Sequence, residues 1–365
     1  MIQKHKAEAF RRLHDAPGAF VIANAWDAGS ARLLETLGFK ALATTSAGLA
    51  YALGRPDGAN TVTREETLAN AAAIVKATSL PVSADLESGF GAAPEACAET
   101  IRQAAAIGLA GGSIEDSTGH ADNPIFSLEA AVERVRAAAE AARSLAVPFV
   151  LTARSENFLH GKPDLKDTIR RLQEFQEAGA DVLYAPGLRT KEDIRTVAAS
   201  VDRPVNVVMG LIGVRLSVAE LSALGVRRIS VGGSLARAAL GAMLRGAREI
   251  LEQGHSNIPR RLCPTLKSAA FSPVGVDRCP ATTPRPSPSV QTEGPSRRGG
   301  KMGPPPSRRM TGWGIVRLDR DHPVPQGRFM ARPDFKHEQE ALNRGHVIVC
   351  GIDEAGRGQI GRAHV

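Results

Sequence analysis

Three short stretches set carboxylates directly behind apolar runs. "SADLESGFG" (residues 83–91) carries Asp85 and Glu87 two positions apart, just after "LPV". "SIED" carries Glu115 and Asp116, and "LGRPDG" carries Asp57. Successive side chains on a strand point to opposite faces, so acids two apart on a strand share a side. Acids gathered at strand ends repel one another unless a cation sits among them. These donors are all hard oxygens, with no His or Cys beside them. Such a set suits Mg²⁺, which takes one or two carboxylates and completes its shell with waters and substrate oxygens. The alternative for any single acid is a helix cap or an ion pair with a nearby Arg.

The elements around these acids follow a regular order. Strand-like runs occur at 20–25, 41–45, 81–87, 111–116, 148–154, 181–187, 204–210 and 227–233. Ala-rich amphipathic stretches follow them, for example at 94–107, 127–144, 165–178 and 234–252. Mostly apolar strands joined by helices predict a parallel sheet buried on both faces. Eight such units in about 235 residues match the count and length of a (β/α)8 barrel, whose sites lie at the C-terminal ends of the strands. The acids fall at those ends. A doubly wound open sheet would want G-x-G-x-x-G after its first strand, and "NAWDAGSA" is not that.

"ADLESGFG", "GRPD", "SIED" and "ARSENFL" resemble the isocitrate lyase and phosphoenolpyruvate mutase superfamily, close to 2-methylisocitrate lyase. The resemblance covers residues about 17–253. It implies a (β/α)8 barrel that binds Mg²⁺ and a small 2-oxo or enol carboxylic acid as substrate. It further implies Asp85 as the principal metal ligand, with Glu87, Asp57 and Glu115 holding the metal's waters. Arg154 would hold the substrate carboxylate, a task that suits a bidentate guanidinium better than an ammonium. "TTSAG" matches a small-residue loop, so backbone amides around Ser46, Ala47 and Gly48 would clasp the pyruvyl part. Asn206 is a further substrate-binding candidate. Family members form dimers and tetramers by exchanging a late helix. The helix at 234–252 is present, but the helix that follows it in the family has no counterpart in the sequence after it.

The sequence departs from the lyases of the family at two places: the acidic residue they carry after the sixth strand is absent, because "YAPGL" has Pro186 and Gly187, and the loop after the fourth strand differs. Their loop after the fourth strand carries Lys, Cys, Gly and His, and its Cys is the proton donor. Here the loop reads "DSTGHADNPIFS". Only His120 and Asn123 offer chemistry there, so His120 is the candidate general acid, with a solvated loop histidine as the alternative. The expected activity is a carbon–carbon lyase working through a pyruvate-enolate-like intermediate. Phosphonopyruvate-mutase-type chemistry, oxaloacetate cleavage and non-catalytic binding of a small acid remain alternatives. "VGGSLAR" reads equally as an anion cradle and as a tight strand-to-helix turn.

Charge divides the chain. Residues 1–254 carry 28 Lys and Arg against 29 Asp and Glu, and residues 255–365 carry 18 against 9. The high pI therefore belongs to the tail and does not mark the barrel as a nucleic-acid binder. The expected domains are a barrel over 1–254, a disordered Pro/Arg-rich stretch over 255–328, and a short piece over 329–365. Residues 329–358 resemble the opening of type-two ribonuclease H, with Asp353 and Glu354 as its only acids, and no function is expected of them. The four cysteines, Cys97, Cys263, Cys279 and Cys350, match no metal or disulfide spacing. There is no apolar run long enough to span a membrane and no signal-peptide pattern at the start. A reducing cytoplasm is the expected location.

Overall fold

The computed structural model describes residues 2–58, 60–210 and 215–254. The Pro/Arg-rich stretch and the segment resembling ribonuclease H lie outside these residues. Eight strands close into a barrel in sequence order: β1 (Phe20–Asn24), β2 (Leu42–Ala43), β3 (Val82–Asp85), β4 (Gly111–Glu115), β5 (Val150–Arg154), β6 (Val182–Tyr184), β7 (Val205–Val208) and β8 (Arg228–Ser230). All neighbours are parallel, and β8 closes on β1 through Phe20–Arg228 and Ile22–Ser230 pairing. The (β/α)8 expectation therefore holds. Each strand is shorter than its apolar run; in all but β5 the last residues of the run turn out of the ladder, and β5 instead starts two residues late.

The helices are α1 (Ile2–Asp15), α2 (Ala28–Thr36), α3 (Ser46–Ala52), α4 (Arg64–Ala77), α5 (Pro94–Ala106), α6 (Leu128–Arg143), α7 (Leu165–Glu177), α8 (Lys191–Ala199), α9 (Val218–Ala223) and α10 (Ser234–Gln253). Reciprocal caps start three of them: Asp27 with Ser30, Thr63 with Glu66, and Ser217 with Glu220. Such a cap stabilises a helix by about 1 kcal/mol. None of the described helices is long and apolar enough to cross a membrane.

Helix α1 closes the N-terminal end of the barrel. Ala7 and Phe10 pack with Ile22, Ala41, Ala110, Val150 and Val182 in a small core of their own. Gly111 makes room for this, because a Cβ there would lie 2.9 Å from Phe10 Cε1 and 2.6 Å from the Val150 carbonyl. His14, also on α1, is buried between the Phe10 and Phe20 rings. Its Nδ1 lies 2.9 Å from the Phe10 carbonyl and its Nε2 lies 3.4 Å from Arg228 Nη1. A carbonyl only accepts and a guanidinium only donates, so the neutral ring carries its proton on Nδ1.

Burial first, and then the Arg228 charge, lower the His14 pKa from 6.5 to about 3. The unfolded chain takes up a proton at His14 below about pH 6.5, while the folded chain does not until about pH 3. Stability must therefore fall as pH drops through that window, by about 1.4 kcal/mol per pH unit for one proton. His14→Gln keeps a donor and an acceptor but cannot titrate. Urea unfolding at pH 7 and pH 5 should show a smaller loss in the variant than in the wild type. Equal losses would remove His14 from the acid sensitivity.

Candidate active site

The C-terminal mouth of the barrel is organised around Arg154, the last residue of β5. Its Nη1 lies 3.0 Å from Asp85 Oδ1, its Nη2 3.1 Å from Glu115 Oε2, and its Nε 2.8 Å from Glu156 Oε1. The guanidinium also sits 5.1 Å from the centroid of the Tyr184 ring. Sheet register brings these groups together, because Glu115 pairs with Arg154 and Arg154 pairs with Tyr184. Burial lowers the guanidinium's pKa, but Glu156, Glu115 and Asp85 override it and raise the pKa well above its usual range. Arg154 therefore stays charged.

One guanidinium does not balance the acids around it. Burial, then repulsion by Asp85 and Asp57, raises the Glu87 pKa to about 7 against the opposing pull of Arg154. Burial and then Asp85 raise Asp57, although a Ser46 hydrogen bond works the other way. Burial raises Glu115 well above its usual value; Arg154 opposes this, and Glu156, Asp85 and Glu87 add to it. Asp57, Asp85, Glu87, Glu115 and Glu156 thus form an oxygen-rich, over-negative cluster. A hard divalent cation fits such a set. Among the described residues no three His, Cys, Asp or Glu side chains converge as a ready cage.

The strand-alternation argument for Glu87 does not hold. Strand β3 ends at Asp85, and Glu87 lies in the turn beyond it with φ of +47°. The Ser-Gly-Phe-Gly run stops the ladder early, and the turn, not the pleat, directs Glu87. Asp116 also leaves the cluster. Its carboxylate accepts from the Glu156 N–H at 2.8 Å and from Arg171 Nη1 at 3.1 Å, which fixes the loop behind the site.

A cavity of about 160 Å³ opens at the mouth, lined by Ser46, Ala47, Asp57, Asp85, Arg154 and Asn206 among others. The predicted substrate side thus shares one space. "TTSAG" is not a loop, however. Thr45 caps α3, and its hydroxyl accepts the Gly48 N–H at 3.3 Å. That amide is occupied. The Ser46 N–H donates to Asp85 Oδ2 at 3.3 Å. Asn206 accepts from Arg228 Nε at 2.9 Å and donates to Ser230 Oγ at 3.0 Å, so its amide is fixed by the barrel interior. The two glycines of "VGGSLAR" read better as a turn, because the Val231 and Gly232 amides both donate to Asn24 Oδ1 at 2.9 Å.

His120 stands apart. It is exposed and lines a separate cavity of about 560 Å³ with Asn60, Arg64, Phe90 and Phe126. Sequence reasoning missed Glu156, Tyr184 and Asn24. Glu156 stands two residues beyond Arg154, and that spacing was its only sequence signal. Tyr184 and Asn24 are placed by cross-strand register.

The family model for phosphoenolpyruvate phosphomutase matches residues 10–251. The chain belongs to this family. Among solved structures, a candidate lyase/mutase from Burkholderia cenocepacia J2315 is 57% identical, with a TM-score of 0.70 over 72% of this chain and 94% of that one. An oxaloacetate acetylhydrolase captured with its product oxalate is 27% identical, with a TM-score of 0.66 over 72% of this chain and 92% of that one. The 2-methylisocitrate lyase of Halalkalibacterium halodurans (strain ATCC BAA-125) is 30% identical over 209 residues, which are 56% of this chain and 67% of the relative. The superfamily resemblance seen in the motifs is therefore correct, and it is a superfamily of enzymes.

Gly48 has a packing role. A Cβ there would lie 2.7 Å from both Trp26 Cβ and Thr45 Cγ2. Gly48→Ala should destabilise the fold by about 1–3 kcal/mol through overpacking, read as a lower thermal midpoint. An unchanged midpoint would mean that α3 shifts freely.

Proposed function

We propose that the protein is a Mg²⁺-dependent carbon–carbon lyase acting on small 2-oxo or 2-hydroxy carboxylic acids. The surplus of carboxylates around Arg154, two of which (Asp57 and Asp85) line the mouth cavity, carries this reading. Asp85 would hold Mg²⁺, with Glu87, Asp57 and Glu115 on its waters. When bound, the ion supplies positive charge to the oxygen that becomes negative as the bond breaks.

The chain's own residues do the rest. The second N–H of Nη1 and of Nη2, beyond those on Asp85 and Glu115, would take the substrate carboxylate, while Nε stays on Glu156 and fixes the plane of the fork. Ser46 and Ala47 line the same space, and the Ser46 N–H, which donates to Asp85 Oδ2, fixes the acid that would take the ion. Leu159 and Pro186 line the mouth and help exclude water.

The position of His120 favours a narrower reading. Among the described residues no Cys lines the mouth cavity and His120 lines another one, which favours cleavage that takes its final proton from water. The similarity to an oxaloacetate acetylhydrolase makes oxaloacetate the first substrate to test. Oxalate mimics the planar enolate of pyruvate and should bind in a Mg²⁺-dependent way. Calorimetry should show Mg²⁺ binding that Asp85→Ala abolishes together with turnover. Arg154→Ala should weaken oxalate binding by roughly 1.5–3 kcal/mol, the worth of a charge-assisted hydrogen bond. Oxaloacetate should turn over faster than 2-methylisocitrate. Unchanged Mg²⁺ affinity in Asp85→Ala, or no oxalate binding with Mg²⁺ present, would refute the proposal.

A further inference from the structure

Arg134, on α6, is 1% exposed and is the largest fully buried side chain among the described residues. No carboxylate pairs with it there. A buried charge without an acid is costly, and an apolar side chain would fill the same space without that cost. Its partners explain its presence. Nη1 donates to the Gly91 carbonyl at 2.7 Å and also to the Ala92 carbonyl, and Nη2 donates to the Ser88 carbonyl. The guanidinium lies 4.3 Å from the centroid of the Phe126 ring. All three carbonyls belong to one turn, the one that leaves β3 and carries Glu87.

That turn needs holding. Glu87 and Phe90 both take left-handed backbone, with φ of +47° and +59°, a conformation disfavoured outside glycine. Two residues of α5 add ties: Thr100 Oγ1 donates to the Gly89 carbonyl at 2.9 Å, and Cys97 Sγ lies 3.6 Å from the Ser88 carbonyl. On the inner side the Glu115 N–H donates to the Glu87 carbonyl at 3.0 Å. The turn is gripped from behind by helices and anchored in front to β4.

We propose that Arg134 is a positioning residue for Glu87. It touches neither substrate nor metal and acts by fixing the backbone that aims the Glu87 carboxylate at the acidic cluster. The proposal rests on the reading of that cluster as a Mg²⁺ site.

The test compares Mg²⁺ affinity by calorimetry in the full chain for the wild type, Arg134→Lys, Glu87→Gly and the double variant. Glycine takes the left-handed backbone without strain and removes the carboxylate. Arg134→Lys should weaken Mg²⁺ binding by about tenfold in the wild-type background and by less than about twofold in the Glu87→Gly background. Equal weakening in both backgrounds, or none in either, overturns the proposal. Hydrogen exchange by mass spectrometry adds a readout that needs no metal. Peptides covering 86–92 should exchange faster in Arg134→Lys, while α5 and α6 stay protected. Unchanged exchange overturns the proposed grip even if the wild type binds no Mg²⁺, a result that would refute the metal reading separately. Should Arg134→Lys fail to fold, Thr100→Val removes the Gly89 tie and should move both readouts the same way, more weakly. No effect there would count against the grip.

Discussion

The mouth of this barrel depends on one cation. Arg154 holds Asp85, Glu115 and Glu156 with three different nitrogens at 2.8–3.1 Å. These acids come from β3, from β4 and from the chain just beyond β5, so the guanidinium ties three adjacent segments through charge. Buried ion pairs of this kind gain little net stability, because desolvation offsets most of the attraction. Their effect is on geometry: each acid is fixed relative to the others. The charges that Arg154 leaves unbalanced are what mark the cavity as the candidate site.

The two shells around that centre work differently. In front, Asp85 and Asn206 are set by strands and by hydrogen bonds inside the barrel, such as Asn206 to Ser230 and Arg228. Behind, Glu87 and Glu156 stand on turns that would wander without support. Asp116 and Arg171 brace the second turn, as Arg134 braces the first. Charged residues buried away from the cavity are thus part of what shapes it.

Much of the fold was legible in the sequence because parallel, doubly buried strands read as apolar runs. All eight lie within their predicted runs. Misreadings came where one residue changes the backbone's state. "TTSAG" shows no periodicity, yet Thr45 is a helix cap and α3 starts beside it. Glu87 was assigned to a strand because acids two apart suggest alternation, although the glycines after it already marked a turn. Tyr184 and Asn24 could not be found in one dimension, since only the closing of the barrel brings them to the mouth. Arg134 looks like any basic residue in an Ala-rich helix, and its burial follows from how α6 packs on α5.

The plug at the other end of the barrel has its own consequence. Phe10, seated against Gly111, and His14, set against Arg228, shut the floor. Among the described residues the floor is filled, and the cavity opens at the mouth. If the proposed cleavage takes place there, both fragments must leave by the route the acid entered. The fragment seated nearer the floor waits for the one nearer the rim. Departure is thus a queue whose order is set by depth, and product-inhibition patterns would report that order directly.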